Sequence, residues 1–199
     1  MTNKEKAKPS GSAVFMYWVI GITATIAAVS LSLYHTDTYT TRWIFWTGFV
    51  CFTIMYHLWM RIIMGNVTKL WNLTYTGRWF QEKRFEKKLY KILRVKKWKK
   101  SALTYNPELY NVKERTMTQI ADATAKAETD HWINVLISFS TLLFALVWGH
   151  PWLLLISAVA AALFDSQFIV IQRYNRPRLQ RLIEKESFRQ SRRVASKTL

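Results

Sequence analysis

The sequence predicts an all-α, polytopic membrane protein with four transmembrane helices and cytoplasmic amphipathic helices lying at the interface. Three observations carry that prediction. Half of the 199 residues are hydrophobic, and they are gathered into long runs. A formal net charge of +17 is confined to the segments between those runs. Several of the ten Trp flank the runs, where interfacial anchors belong. A basic soluble chain of this size would suggest nucleic acid as the partner, but alternation of charge with apolar runs points to basic cytoplasmic loops and no nucleic acid. The single Cys51 excludes an internal disulfide framework and a cysteine-based zinc site.

Residues 1–13 form a basic tail with Lys4, Lys6 and Lys8. Val14 to Leu33 then runs apolar for long enough to cross a bilayer, and is expected to be a retained signal-anchor. Trp43 to Met64 is the second span, so residues 14–64 make a first transmembrane hairpin. Ile133 to Trp148 and Trp152 to Ile171 are the third and fourth, broken apart by Gly149, His150 and Pro151, so residues 133–171 make a second hairpin. The third is short, roughly 25 Å at helical rise.

Charge sets the orientation. The segment from Gly65 to Trp132 holds fifteen Lys or Arg, and the tail over residues 172–199 holds nine, whereas Gly149–Pro151 holds none. By the positive-inside rule both termini and residues 65–132 are cytoplasmic. Within that segment, Trp79 to Trp98 lacks Gly and Pro. It repeats Phe85, Leu89 and Ile92 among lysines, predicting one cationic amphipathic helix on an anionic leaflet. Pro107 precedes a second helical stretch, Glu108 to Trp132.

Three groups of residues can carry chemistry. Glu128 and His131, three apart, share one helix face, an arrangement in which a carboxylate orients an imidazole for general-base work. A polar collar at a helix entry fits the same spacing. Arg173, Arg176 and Arg178, with Asn175 and Tyr174 between them, can fork onto phosphates or carboxylates, or pin a helix end to lipid headgroups. Pro177 is expected to keep Asn175–Arg176 out of regular helix. His57 and Asp165 are polar groups within spans, either functional or joined by an interhelical hydrogen bond. His131 and His57 do not make a metal-ligand set, so no metal is expected.

Read together, Lys126–Ala127–Glu128–Thr129–Asp130–His131–Trp132 and Gln172–Arg173–Tyr174–Asn175–Arg176–Pro177–Arg178–Leu179 resemble the glycosyl-4,4′-diaponeurosporenoate acyltransferase family. These small membrane enzymes acylate a carotenoid glycolipid of the staphyloxanthin type. Lys96–Lys97–Trp98–Lys99 is similar to a basic element that precedes both motifs in the family, and the resemblance covers about residues 85–182. The chain departs from the pattern at Lys126, where the family has Arg, and at Asp165–Ser166–Gln167, where Asn-x-Pro is common.

The resemblance implies transfer of a fatty acyl group from a thioester, acyl-CoA or acyl carrier protein, to a sugar hydroxyl of a carotenoid glycoside or related lipid-linked sugar. No further cofactor is expected, and the implied location is a bacterial cytoplasmic membrane. His131 would be the base and Glu128 its orienting partner. Arg173, Asn175, Arg176 and Arg178, with Lys96, Lys97, Trp98 and Lys99, would hold the donor head or the oxyanion. Nothing in the sequence sets an oligomeric state. The competing class is a non-enzymatic scaffold that binds anionic lipid or an acidic partner through its basic face.

The orientation has a direct test. Cysteine placed at Lys100, in a background with Cys51→Ala, should be labelled by an impermeant maleimide only after cells are opened. Labelling from outside intact cells would reverse the topology.

Overall fold

The computed structural model describes residues 11–102 and 107–196, and among them there are helices and no strands. The basic N-terminal residues Lys4, Lys6 and Lys8 lie outside the described residues. Among the described residues four helices are long and apolar enough to cross a membrane. The chain divides into two compact units, Met1–Ile63 with Ile137–Ala161 and Met64–Leu136 with Ala162–Leu199.

The first unit contains α1 (Gly11–His35) and most of α2 (Arg42–Val67), joined by a turn in which Asp37 adopts φ +55°. The two helices approach closely because Gly48 has no side chain. A Cβ there would lie 2.8 Å from Leu31 Cγ and 3.1 Å from Ser30 Cβ. One face of α2 is a ladder of aromatics. Phe52 meets Phe144 and Trp148 edge-on at 4.9 and 4.6 Å, Phe49 meets Trp148 at 5.9 Å, and Trp46 meets His150 at 4.8 Å. Tyr56 Oη and Ser140 Oγ, 2.8 Å apart, add a hydrogen bond to this packing. His57 is buried in the same unit.

The break expected at Gly149–Pro151 is present. Gly149 takes φ +69° and ψ −149°, a conformation open to glycine alone, and Pro151 opens the next helix at the position where its missing N–H costs nothing. Before that break the third span is not uniform. Helix α5 (Met117–Ser140) tightens into a 3₁₀ turn, Thr141–Phe144, and then α6 (Ala145–Trp148).

The second unit departs from expectation in three places. The single amphipathic helix over Trp79–Trp98 is instead a 3₁₀ turn, Arg78–Phe80, followed by α3 (Glu86–Ile92) and α4 (Val95–Trp98). Arg94, in the left-handed region at φ +50°, breaks α3 from α4. Helix α3 buries Glu86 and Tyr90 while Phe85, Ile92 and Leu93 are exposed, so the polar stripe faces inward. The stretch expected as helix over Glu108–Trp132 begins as a 3₁₀ turn, Pro107–Tyr110, and becomes helical at Met117. A reciprocal capping box sets that start: Gln119 N–H donates to Thr116 Oγ1 at 3.2 Å and Thr116 N–H to Gln119 Oε1 at 3.0 Å. Finally, α7 (Pro151–Ala195) runs straight through Pro177, so Asn175 and Arg176 are helical, contrary to the sequence expectation. Proline removes one backbone hydrogen bond, and the side-chain contacts of Arg173 and Arg176 on the preceding turn hold the helix across that gap.

The close approach at Gly48 gives a stability prediction. Gly48→Val overpacks the α1–α2 contact and should destabilise the protein by about 1–3 kcal/mol. Gly21→Ala, where an added Cβ meets nothing within 4 Å, should not destabilise it. Thermal unfolding in detergent reads both, and an unshifted Gly48→Val would deny the contact.

Candidate active site

The buried stripe of α5 in the second unit runs through Ile120, Ala121, Thr124, Ala125 and Glu128, at helical spacing. It faces α7 antiparallel. Stepping back along α5 from His131 to Glu128 to Thr124, the partners step forward along α7 from Asp165 to Arg173 to Arg176. Glu128 and His131 share a face, as their spacing requires, but each meets a different part of α7.

Glu128 has no exposed surface. Its Oε1 accepts from Arg173 Nε at 2.8 Å, and its Oε2 lies 2.6 Å from Arg176 Nη1. Arg173 also donates through Nη1 to Glu86 Oε1, and through Nη2 to the Trp79 carbonyl at 2.6 Å. Arg176 is 1 % exposed. Its Nη1 reaches the Phe80 carbonyl at 3.2 Å, and Nη2 the Thr124 carbonyl at 3.2 Å, with the guanidinium over the Phe80 ring. Two carboxylates and two guanidiniums thus alternate in one buried chain, Glu86–Arg173–Glu128–Arg176. Tyr90 extends it by donating to Glu86 Oε2 at 2.9 Å. Burial first, and the hydrogen bond to Glu86 next, raise the Tyr90 hydroxyl well above the usual phenol range, so it stays a donor.

The expected pairing of Glu128 with His131 is therefore replaced. His131 Nδ1 lies 2.9 Å from Asp165 Oδ1, and the imidazole stacks on Phe168 at 4.7 Å and 12°. Asp165 is 1 % exposed and also accepts from Asn134 Nδ2 at 3.4 Å. A carboxylate accepts, so Nδ1 is the nitrogen that donates in this contact. The His131 side chain is 23 % exposed, whereas its carboxylate partner is buried. Arg176, by contrast, offers no exposed donor for a phosphate.

The remaining predicted residues separate by exposure. Arg178, Lys96 and Lys97 are exposed. Lys99 is half-buried and donates to Asn175 Oδ1 at 2.7 Å, over the Tyr174 ring at 4.6 Å. Trp98 Nε1 donates to the Leu93 carbonyl at 2.8 Å, a local structural bond. Asp130, adjacent to His131, is held by Lys126 at 2.9 Å and by the buried Thr68. Among the described residues no group of three or more His, Cys, Asp or Glu is placed to hold a metal.

Residues 76–185 match the family model of glycosyl-4,4′-diaponeurosporenoate acyltransferase. The chain belongs to that family. No curated protein and no solved structure matches it. The match spans both motifs that carry the resemblance and the basic element before them. Both motifs lie on the α5–α7 seam, in the segments that hold His131, Glu128, Arg173 and Arg176.

Glu86, Tyr90, Thr124 and Asn134 complete these arrangements and escaped the sequence reading. Glu86 stands among lysines and reads as surface. Thr124 was accessible in principle, since it precedes Glu128 by one helical turn.

Removing the shared carboxylate tests which role Glu128 has. Glu128→Ala strands two buried guanidiniums and should destabilise the protein by about 3–5 kcal/mol. Arg176→Lys should also destabilise it, because one ammonium cannot span Glu128, Phe80 and Thr124. His131→Ala leaves Asp165 its contact with Asn134 and should destabilise the protein less than Glu128→Ala. A wild-type melting temperature for Glu128→Ala would remove the cluster from the fold's foundations.

Proposed function

We propose that the protein transfers a fatty acyl group from an acyl thioester to a sugar hydroxyl of a glycosylated lipid, with His131 as base and Asp165 as its orienting partner. The observation that carries this reading is the 2.9 Å contact between His131 Nδ1 and a buried carboxylate, within the region matched to an acyltransferase family.

The chemistry follows from that contact. Asp165 holds Nδ1–H, fixing the tautomer, while the Phe168 ring fixes the imidazole plane. Nε2 takes the proton of the acceptor hydroxyl as its oxygen attacks the thioester carbonyl. The tetrahedral intermediate collapses, the carbon–sulfur bond breaks, and the thiolate recovers the proton from Nε2. One ester bond forms, one thioester bond is lost, and His131 ends as it began. Burial of Asp165 strengthens its hold on the imidazolium, because low dielectric screens the pair less.

The acceptor is a carotenoid glycoside or a related lipid-linked sugar. Phe164, half-exposed and edge-on to Phe168 at 5.3 Å, extends an apolar wall beside the imidazole and suits an alkyl chain. A lipid-linked sugar is carried to that depth by its own tail, which fixes its height before any protein contact. The basic segments belong on the cytoplasmic side by charge, where thioester donors are made.

Turnover of the purified protein in nanodiscs, with an acyl-CoA donor, tests the assignment. His131→Ala should lower it by roughly two to four orders of magnitude. Asp165→Asn keeps an oxygen to accept from Nδ1–H and loses the charge, so it should cost less than Asp165→Ala. Near-normal turnover of His131→Ala would take His131 out of the reaction. Equal rates on free glucose and a glucosylated lipid would refute the lipid acceptor.

A further inference from the structure

The family motif on α7 supplies three arginines, and the second unit uses them unequally. Arg173 and Arg176 are committed to Glu86 and Glu128, whereas Arg178 is exposed. Across from it, the 3₁₀ turn Lys99–Ser101 follows directly on α4. Lys99 is half-buried there, and its ammonium is fixed from two directions. It donates to Asn175 Oδ1 at 2.7 Å and lies 4.6 Å from the centre of the Tyr174 ring. That ring is itself held edge-on by Tyr90 at 5.3 Å.

Both of those partners are neutral. The charged groups acting on Lys99 are Arg178, Lys100 and Lys96, all positive, and together with burial, the larger cause, they lower its pKa. Two other half-buried cations of the same unit are each paired with a carboxylate. Lys126 has Asp130 at 2.9 Å, and Arg173 has Glu86 and Glu128. Like charges held together on packed elements raise the local potential, and an anion that enters relieves the repulsion. A single carboxylate would leave such a cluster still positive. A phosphate group brings more charge and three acceptor oxygens to meet an ammonium and a guanidinium fork.

We propose that Lys99 and Arg178, with Lys96 and Lys100 beside them, bind a phosphate group, and that Asn175 and Tyr174 position Lys99 for it. Its assignment to the phosphorylated head of the thioester donor rests on the acyl-transfer reading above; the site itself rests on the geometry of the cluster. A phospholipid headgroup offers the same chemistry.

The test is a binding measurement on the full chain, independent of turnover. Titration calorimetry with coenzyme A, in nanodiscs of phosphatidylcholine, should show saturable binding that weakens roughly tenfold or more in Arg178→Gln and in Lys99→Gln. The double variant Lys96→Gln/Lys100→Gln leaves the Lys99 hydrogen bond intact and should also weaken binding. In nanodiscs that include phosphatidylglycerol, native mass spectrometry reads retained lipid. If coenzyme A does not bind but wild-type protein retains phosphatidylglycerol and the variants lose it, the site stands and its phosphate is a headgroup's. If all variants match wild type in both measurements, the proposal is overturned. Wild-type binding of coenzyme A without acylation of any glycolipid would overturn the reaction and leave the phosphate site standing.

Discussion

The second unit depends on one buried carboxylate. Glu128 has no exposed surface and takes an arginine on each oxygen. Taking these charges out of water is costly, and their attraction offsets that cost only when the remaining donors are also satisfied. They are: the Trp79, Phe80 and Thr124 carbonyls and Glu86 occupy the guanidinium edges that Glu128 leaves. Those partners come from α5, α7 and the segment of residues 78–92. A single electrostatic requirement therefore sets the relative position of three parts of the unit, and supports α7 where Pro177 would weaken it.

The His131–Asp165 pair inherits that order. His131 lies one turn along α5 from Glu128, and Asp165 lies two turns along α7 from Arg173, on the same seam. Both groups stand on long helices rather than loops, so helix packing fixes the orientation of the imidazole. The cluster also divides the labour of the arginines. Two are structural because buried carboxylates demand them, and Arg178 faces outward with the lysines of the α4 region.

Much of this was readable from the chain alone, for a physical reason. Apolar runs report burial in lipid or core, so the four long helices and the break at Gly149–Pro151 could be read from residue type and spacing. Helical periodicity placed Glu128 and His131 on one face. Two motifs some forty residues apart identified the family. The single helix expected over Trp79–Trp98 failed because composition without Gly or Pro permits a helix but does not impose one. The left-handed turn at Arg94 and the burial of Glu86 and Tyr90 are set by what α3 packs against.

Periodicity names a face and not its partner, and that is where the sequence stops. The bonds that define the site join residues far apart: His131 and Asp165 are separated by 34 positions, Arg173 and Glu128 by 45, Arg173 and Glu86 by 87. Which carboxylate meets the imidazole depends on the register of α5 against α7. A shift of one turn would exchange Asp165 for another partner without altering any local pattern. The sequence by itself determined the four long apolar helices, the charge pattern and the family. Only the tertiary structure decided that Glu128 binds arginines and that Asp165 holds His131, because buried charges choose partners by proximity in the packed state.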